Sequence, residues 1–136
     1  MTERRKTLNR GSWRLEALTF AVGDPVTGIL DARGYRLARI VSPANLTTAN
    51  YTINEAPTAD GTFNPIQMGK TGGNLIVKAS ASKPSLITDD GTPLPGLGFI
   101  KIGAVSTSDG TTAVNQAGTK ASKAVTIETG KVVTFA

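Results

Sequence analysis

Acid–base chemistry in this chain can come only from a few residue types, because it contains neither histidine nor cysteine. Their absence removes imidazole bases, thiolate nucleophiles, disulfides and almost every transition-metal site. A glycosidase needs two carboxyl groups about 5 to 10 Å apart across a cleft. Most acidic residues here fall in turns that face water, and the plausible members of such a pair are Glu55, Asp60, Asp89 and Asp90. We therefore expect no catalytic residues and no enzyme.

Two loops resemble ligand-binding sequences at first sight. Asp89 and Asp90 form an acidic pair in the loop Thr88–Gly98, but calcium takes six to eight oxygen ligands and the local supply is small. The sequence GKTGG at 69–73 has the glycines and the lysine of a phosphate loop, without its upstream glycine or following helix. We predict plain turns at both places, with no metal, no cofactor and no small-molecule substrate.

The basic residues are concentrated at the N-terminus. The first 14 residues carry a net charge of +4 out of +5 for the whole chain. Residues 1–12 are polar and almost without apolar side chains, so we predict an extended arm there. Three roles compete: a solvated tail, an arm that orders on a protein partner, and a nucleic-acid contact. We predict no nucleic-acid binding, because the cluster lacks interleaved aromatics or a reading helix. The candidate partner-binding residues are Arg4, Arg5, Lys6, Arg10, Trp13 and Arg14.

Residues 13–136 are predicted to form a single all-β domain. The length suits one domain with a core that needs neither disulfides nor metal. Aromatic residues make up only 5%, while glycine and β-branched residues are plentiful, which favours many short strands. Turn residues recur at the spacing of a β-sandwich or barrel. No apolar run approaches the length of a membrane span and no signal-peptide apolar region follows the N-terminus, so we expect a soluble protein without a membrane partner.

The stretch Tyr51–Ile66 organises this prediction: a short strand, a turn at Asp60-Gly61 and a second strand. Tyr51 and Ile53 share one face with Glu55. Either Glu55 lies beyond the buried part, or the register shifts before the proline that follows.

The other strands are predicted from period-two alternation. At the start of the body, Leu18, Phe20 and Val22 share one face, with a helix over 13–18 as the rival. Arginines in the strand Tyr35–Val41 favour an edge strand or one covered on its charged face. The remaining predicted strands cover Val26–Leu30, the residues NLIVKA, a short edge piece after Pro84, Phe99–Val105, KAVTIET and KVVTF.

Three segments resemble the small β-sandwich virion proteins of tailed bacteriophages: IVSPANLTTANYTINEAPTADGTFNPI, PLPGLGFIKI and AVNQAGTKASKAVTI. In that group a strand ending in proline leads through a Thr/Ala connector to a strand and a DGTTF-type turn. A Pro/Gly loop before an (F/Y)(I/L)K(I/L) strand follows, and then a VNQ-type segment. The resemblance covers about Leu37 to Ile127. It departs at Asn45-Leu46, where the group would have a tryptophan.

This resemblance implies a jelly-roll-like antiparallel β-sandwich that decorates or cements a phage capsid. The expected partner is the major capsid protein, with the chain as a homotrimer on the capsid surface after assembly in the host cytoplasm. Two alternatives are a base for a head fibre or tail attachment, and a carbohydrate- or receptor-binding module with the loops around Asp60, Asp89 and Asp109 at its tip.

Overall fold

The computed structural model describes residues 13–69, 72–88, 90–94, 97–117 and 120–128. These residues form nine β-strands and no helix, so none of them belongs to a helix able to cross a membrane. The strands are β1 Trp13–Phe20, β2 Leu30–Asp31, β3 Tyr35–Val41, β4 Asn50–Ala56, β5 Asn64–Pro65, β6 Ile76–Val77, β7 Pro84–Leu86, β8 Phe99–Val105 and β9 Lys120–Glu128.

The strands build two sheets in which the pairs are antiparallel. Sheet I has the order β1-β9-β3-β7. Sheet II has the order β2-β8-β4-β5, and β6 also pairs with β4. The all-β prediction is therefore confirmed, and the arrangement is consistent with a β-sandwich.

Side chains from both sheets form one apolar core cluster. Phe20 of sheet I lies against Tyr51 of sheet II, with ring centroids 6.4 Å apart. The Tyr51 hydroxyl shares a hydrogen bond of 2.8 Å with the Ser42 hydroxyl, so the two sheets are also joined by a polar contact inside the core. Other fully buried members include Leu37, Ile53, Ile100 and Ile102.

The predicted organising stretch supplies a central strand of sheet II. β4 pairs with β8 over its whole length and with β5 and β6 on its other side. Its register with β8 continues without a shift to Ala56, so the alternative of a register shift before Pro57 is wrong. Glu55 lies near the end of the strand, where its carboxylate accepts a hydrogen bond of 2.6 Å from the Gly98 backbone N–H.

The predicted strand at the start of the body is confirmed and the rival helix over 13–18 is absent, since β1 is a strand from Trp13. Two other local predictions are wrong. Val22 does not share the buried face of Leu18, because the strand ends at Phe20 and Val22 is 71% exposed. The predicted strand Val26–Leu30 shrinks to β2, preceded by single bridges at Val26 and Thr27.

Of the two interpretations of β3, an edge strand or a strand covered on its charged face, the first is wrong. β3 lies between β9 and β7 inside sheet I. Its alternation is imperfect because the register with β9 shifts between Leu37 and Arg39, which lets both Leu37 and Ile40 point into the core. The edge strand is instead β7, the short piece after Pro84, as predicted.

Other predictions hold where the structure describes the chain. Phe99–Val105 is a strand with Ile100 and Ile102 buried, and the first six residues of KAVTIET lie within β9, while the seventh lies outside the described residues. Leu46, which stands where the resembling group has a tryptophan, packs partly buried against the core. The predicted strand KVVTF and the arm of residues 1–12 lie outside the described residues.

Candidate functional site

The predicted partner-binding residues fall in two places. Arg4, Arg5, Lys6 and Arg10 lie outside the described residues. Trp13 and Arg14 are the first two residues of β1, where their backbones pair with Ile127 and Thr126 of β9. The structure therefore places the junction between the predicted arm and the body at an edge strand of sheet I.

The outer face of sheet I carries exposed apolar side chains. Leu18 and Phe20 of β1 point into the core, so Leu15 lies on the opposite face, where it is 55% exposed. Leu86, on β7 at the far edge, is 51% exposed. The two leucines belong to one row of the sheet, because Leu15 pairs with Val125, Val125 with Arg39, and Arg39 with Leu86. We call Leu15, Arg39 and Leu86 the sheet I row.

The acidic candidates are engaged in their own turns. Asp89 lies outside the described residues. The Asp90 carboxylate accepts hydrogen bonds from the Thr92 backbone N–H at 2.9 Å and the Thr88 hydroxyl at 2.8 Å, and these bonds lower the pKa of Asp90. Gly91 adopts a φ of 78°, so the predicted turn is present. Asp60 lies exposed in the turn Thr58–Gly61, which is closed by a backbone hydrogen bond of 3.1 Å.

No group of three potential metal-ligating side chains occurs among the described residues. Glu55 bonds to a backbone amide at the end of β4, while Asp60 and Asp90 occupy separate turns.

Asp109 organises the loop that covers one end of sheet II. Its carboxylate accepts hydrogen bonds from the Thr112 hydroxyl and from the backbone N–H groups of Thr111 and Thr112. These bonds lower the pKa of Asp109 to about 2. The loop is closed further by backbone hydrogen bonds from the Ser106 N–H to the Thr112 carbonyl and from the Gly110 N–H to the Ser106 carbonyl, and Gly110 adopts a φ of 69°. Asp109 thus holds its own turn in shape.

A cleft of about 200 Å³ lies on the outer face of sheet II. Its floor is formed by β4 and β8, where Thr52 and Gly103 are register partners. A Cβ atom on residue 103 would lie 2.7 Å from the Thr52 hydroxyl oxygen and 2.8 Å from the Asn54 side-chain nitrogen. Both polar atoms therefore converge over the bare backbone of Gly103. We call this cleft the sheet II cleft.

Three segments from elsewhere in the chain wall the sheet II cleft. Pro25 and Val26 lie on one side, where the Ala104 N–H donates to the Pro25 carbonyl at 2.7 Å. Pro65 and Asn74 lie on another. The third wall is the Asp109 loop, which contributes Gly110, Thr111 and Ala113.

Sequence reasoning missed Thr52, Asn54 and Asn74. The available signal was the alternation of β4, in which Thr52 and Asn54 occupy the positions between Tyr51, Ile53 and Glu55. That pattern predicts outward side chains, yet it does not reveal that residues 25–26 and 106–113 fold over them.

A second, wider depression of about 580 Å³ lies between β6 and β7, the edges of the two sheets. Its lining includes Met68, Ile76 and Leu86, and Met68 is 44% exposed. The groove shares Leu86 with the sheet I row.

Comparison with known proteins supplies no relative for this chain. No family model matches it, and neither the curated proteins nor the solved structures contain a significant match.

Proposed function

We propose that this protein decorates a virus capsid, binding the outer surface of the major capsid protein lattice and stabilising the head. In this proposal it is a structural protein rather than an enzyme. It requires no cofactor, and its localisation is the surface of the virion after assembly in the host cytoplasm.

The order of the strands supports a jelly roll. The pairs β1–β9, β2–β8, β3–β7 and β4–β6 are nested, as in one long hairpin. The first and third pairs belong to sheet I, and the second and fourth to sheet II. A long hairpin whose successive pairs alternate between two facing sheets is the path of a jelly roll, an architecture found in viral capsid and lectin domains. Only β5, which adds to β4, lies outside this scheme.

The single observation that carries the proposal is the sheet I row. Leu15 and Leu86 lie at the two ends of one row of an open sheet face, with the positions of Val125 and the exposed Arg39 between them. Exposed apolar side chains on such a face can contribute to a protein–protein contact. The row begins on β1, the strand that the predicted basic arm enters. Row and arm can therefore engage the same partner.

The arm supplies the second part of the mechanism. Arg4, Arg5, Lys6 and Arg10 give it a charge complementary to an acidic shell surface, and such complementarity steers association. An arm that orders only on docking loses conformational entropy at that step. Repetition over a lattice compensates, because many weak contacts acting together resist release. A trimer would present three arms at once, and we propose that oligomeric state.

Copy number tests the function directly. Quantitative mass spectrometry of purified virions is expected to find the protein at copies on the order of hundreds per particle, as a lattice of repeated sites requires. A dozen copies or fewer would contradict decoration and support the alternative of a base for a head fibre or tail attachment.

The contribution of the arm is tested with charge reversal in the full chain. Arg4→Glu/Arg5→Glu is expected to weaken binding to purified capsids that lack the protein, most strongly at low salt. The matched control is Lys78→Glu/Lys83→Glu, which reverses two charges on exposed residues of the body. Equal affinity of the two double variants would contradict a role for the arm.

A further inference from the structure

We propose that the sheet II cleft is a binding site for one neutral sugar ring. This inference does not depend on capsid decoration, because it concerns the opposite sheet and a different set of residues. It is argued from the pairing of the polar groups in the cleft, from its walls and from the chemistry of its lining.

The hydroxyl of Thr52 is the first observation. Thr52 is 4% exposed as a whole residue, and its side chain makes no hydrogen bond with the described residues. Its hydroxyl oxygen is not one of the fully buried side-chain atoms that lack a partner, so it keeps some contact with solvent. The hydroxyl oxygen lies beside Gly103, at the floor of the cleft, where a ligand could supply the partner.

Two amide side chains add to this polar floor. Asn54 and Asn74 both line the cleft, and neither side chain has a hydrogen bond within the described residues. An amide offers two donors and one acceptor, and a threonine hydroxyl offers both. Thr52, Asn54 and Asn74 therefore present donors and acceptors to one small space. Vicinal sugar hydroxyls, which also donate and accept, match such a set.

The residues that line the sheet II cleft disfavour a charged ligand, and the volume of the cleft limits the size of the ligand. None of the described residues that line the cleft is ionisable. The nearest lysine along β8 is Lys101, whose ammonium lies 4.6 Å from the centre of the Phe63 ring. An anionic ligand would thus gain little in the cleft. A volume of about 200 Å³ is below the roughly 300–1,000 Å³ of sites for drug-sized ligands, which suits a single ring with the rest of a glycan outside.

Hydrogen bonds within the protein hold the walls of the sheet II cleft in place without a ligand. Backbone bonds fix Pro25 against β8, and the Asp109 carboxylate fixes the loop from Ser106 to Ala113. The apolar surfaces of Pro25, Val26 and Pro65 face the cleft and can pack against the C–H groups of a sugar. A preformed site loses less entropy on binding.

The experiment uses the full chain, fluorescently labelled, on an array of neutral and acidic glycans. Neutral glycans that bind are then titrated, as free sugars, into ¹⁵N-labelled protein. D-glucose, D-galactose, D-mannose and N-acetyl-D-glucosamine are titrated whatever the array shows, with D-glucuronic acid as the charged counterpart. The expected result is saturable movement of the amide signals of Thr52, Asn54 and Gly103 with at least one neutral sugar.

Variants decide whether that binding uses the cleft. Thr52→Val keeps the shape of the side chain and removes its hydroxyl, so it is expected to weaken binding about tenfold while the fold is retained. Asn54→Ala is the second variant. Thr48→Val and Asn45→Ala change exposed residues outside the cleft and are expected to bind as the wild type does. The proposal is overturned if no neutral sugar binds, if only acidic glycans bind, or if binding survives both cleft substitutions.

Discussion

The side-chain amide of Gln116 pairs with the backbone of Thr47 as one strand residue pairs with another. The Thr47 N–H donates to Gln116 Oε1 at 3.0 Å, and Gln116 Nε2 donates to the Thr47 carbonyl at 3.2 Å. Gln116 is fully buried. Its own backbone bonds to residues 23 and 24, so this one residue ties together the loops after β1, after β3 and after β8. Thr47 and Gln116 belong to two of the segments that carry the resemblance to phage virion proteins.

Replacing this amide is expected to destabilise the fold strongly. Gln116→Leu keeps an apolar body of similar size but removes both hydrogen bonds to Thr47, in a buried place. A lost partner in such a place costs about 1 to 3 kcal/mol for each group, so for the two groups we expect a total of about 2 to 6 kcal/mol in the free energy of unfolding. Urea unfolding measures it. The neighbouring exposed Asn115→Ala is the control and should stay within about 0.5 kcal/mol; equal losses in the two variants would contradict the assigned role.

Gly98 is predicted to tolerate no side chain, for steric reasons alone. A Cβ atom there would lie 2.7 Å from the Ala56 carbonyl oxygen, which is backbone and part of β4. Gly98→Ala should therefore cost about 1 to 3 kcal/mol, as overpacking does. Gly28→Ala is the matched control, since nothing lies within 4 Å of its Cβ position, and it should leave stability unchanged or slightly raised. Thermal unfolding of the two variants compares them, and a neutral Gly98→Ala would contradict the packing described.

Asp109 is expected to make the loop beside the sheet II cleft sensitive to acid. Its pKa is lowered from 3.8 to about 2 in the folded state, so the ionised carboxylate contributes stability at pH values above about 4. That contribution is lost as the pH falls from about 4 to about 2. Asp109→Asn should therefore lower the melting temperature at pH 5 and leave a smaller difference from wild type at pH 2. Asp60→Asn, which removes a carboxylate from another exposed turn, is the control. A pH-independent effect of Asp109→Asn would contradict this origin.

The parts of the fold with strict alternation could be predicted from the sequence. In Phe99–Val105 the apolar Ile100 and Ile102 stand on either side of Lys101, both isoleucines are buried as predicted, and the strand has the predicted bounds. Alternation did not predict the position of β3 in its sheet. The register of β3 with β9 shifts between Leu37 and Arg39, so the alternation of inward and outward side chains changes phase within the strand. The arginines of this strand favoured either an edge strand or one covered on its charged face, and the strand lies inside sheet I.

The candidate cleft could not be predicted, because it depends on contacts between distant parts of the chain. By sequence alone, Thr52 is an ordinary outward-facing residue of a strand. It lines a cleft because Val26 bridges to Gly103, and because Ala113, in the Asp109 loop, bridges to Val105. The hydrogen-bond partner of Gln116 could not be predicted either, since Thr47 lies 69 positions away in the sequence. Neither residue type nor spacing encodes such pairings.

The sheet I row is expected to form the contact with the capsid. Leu15→Ser/Leu86→Ser should weaken binding of the full chain to capsids that lack it, because burial of a leucine side chain is worth about 1.5 to 3 kcal/mol. The fold should be retained, since both side chains are more than half exposed. Val22→Ser/Ile29→Ser is the matched control, with apolar residues that are 71% and 46% exposed but lie outside the row. Co-sedimentation with capsids measures both affinities. If the control variant loses as much affinity as the row variant, general surface hydrophobicity rather than this row drives attachment, and the proposed contact is wrong.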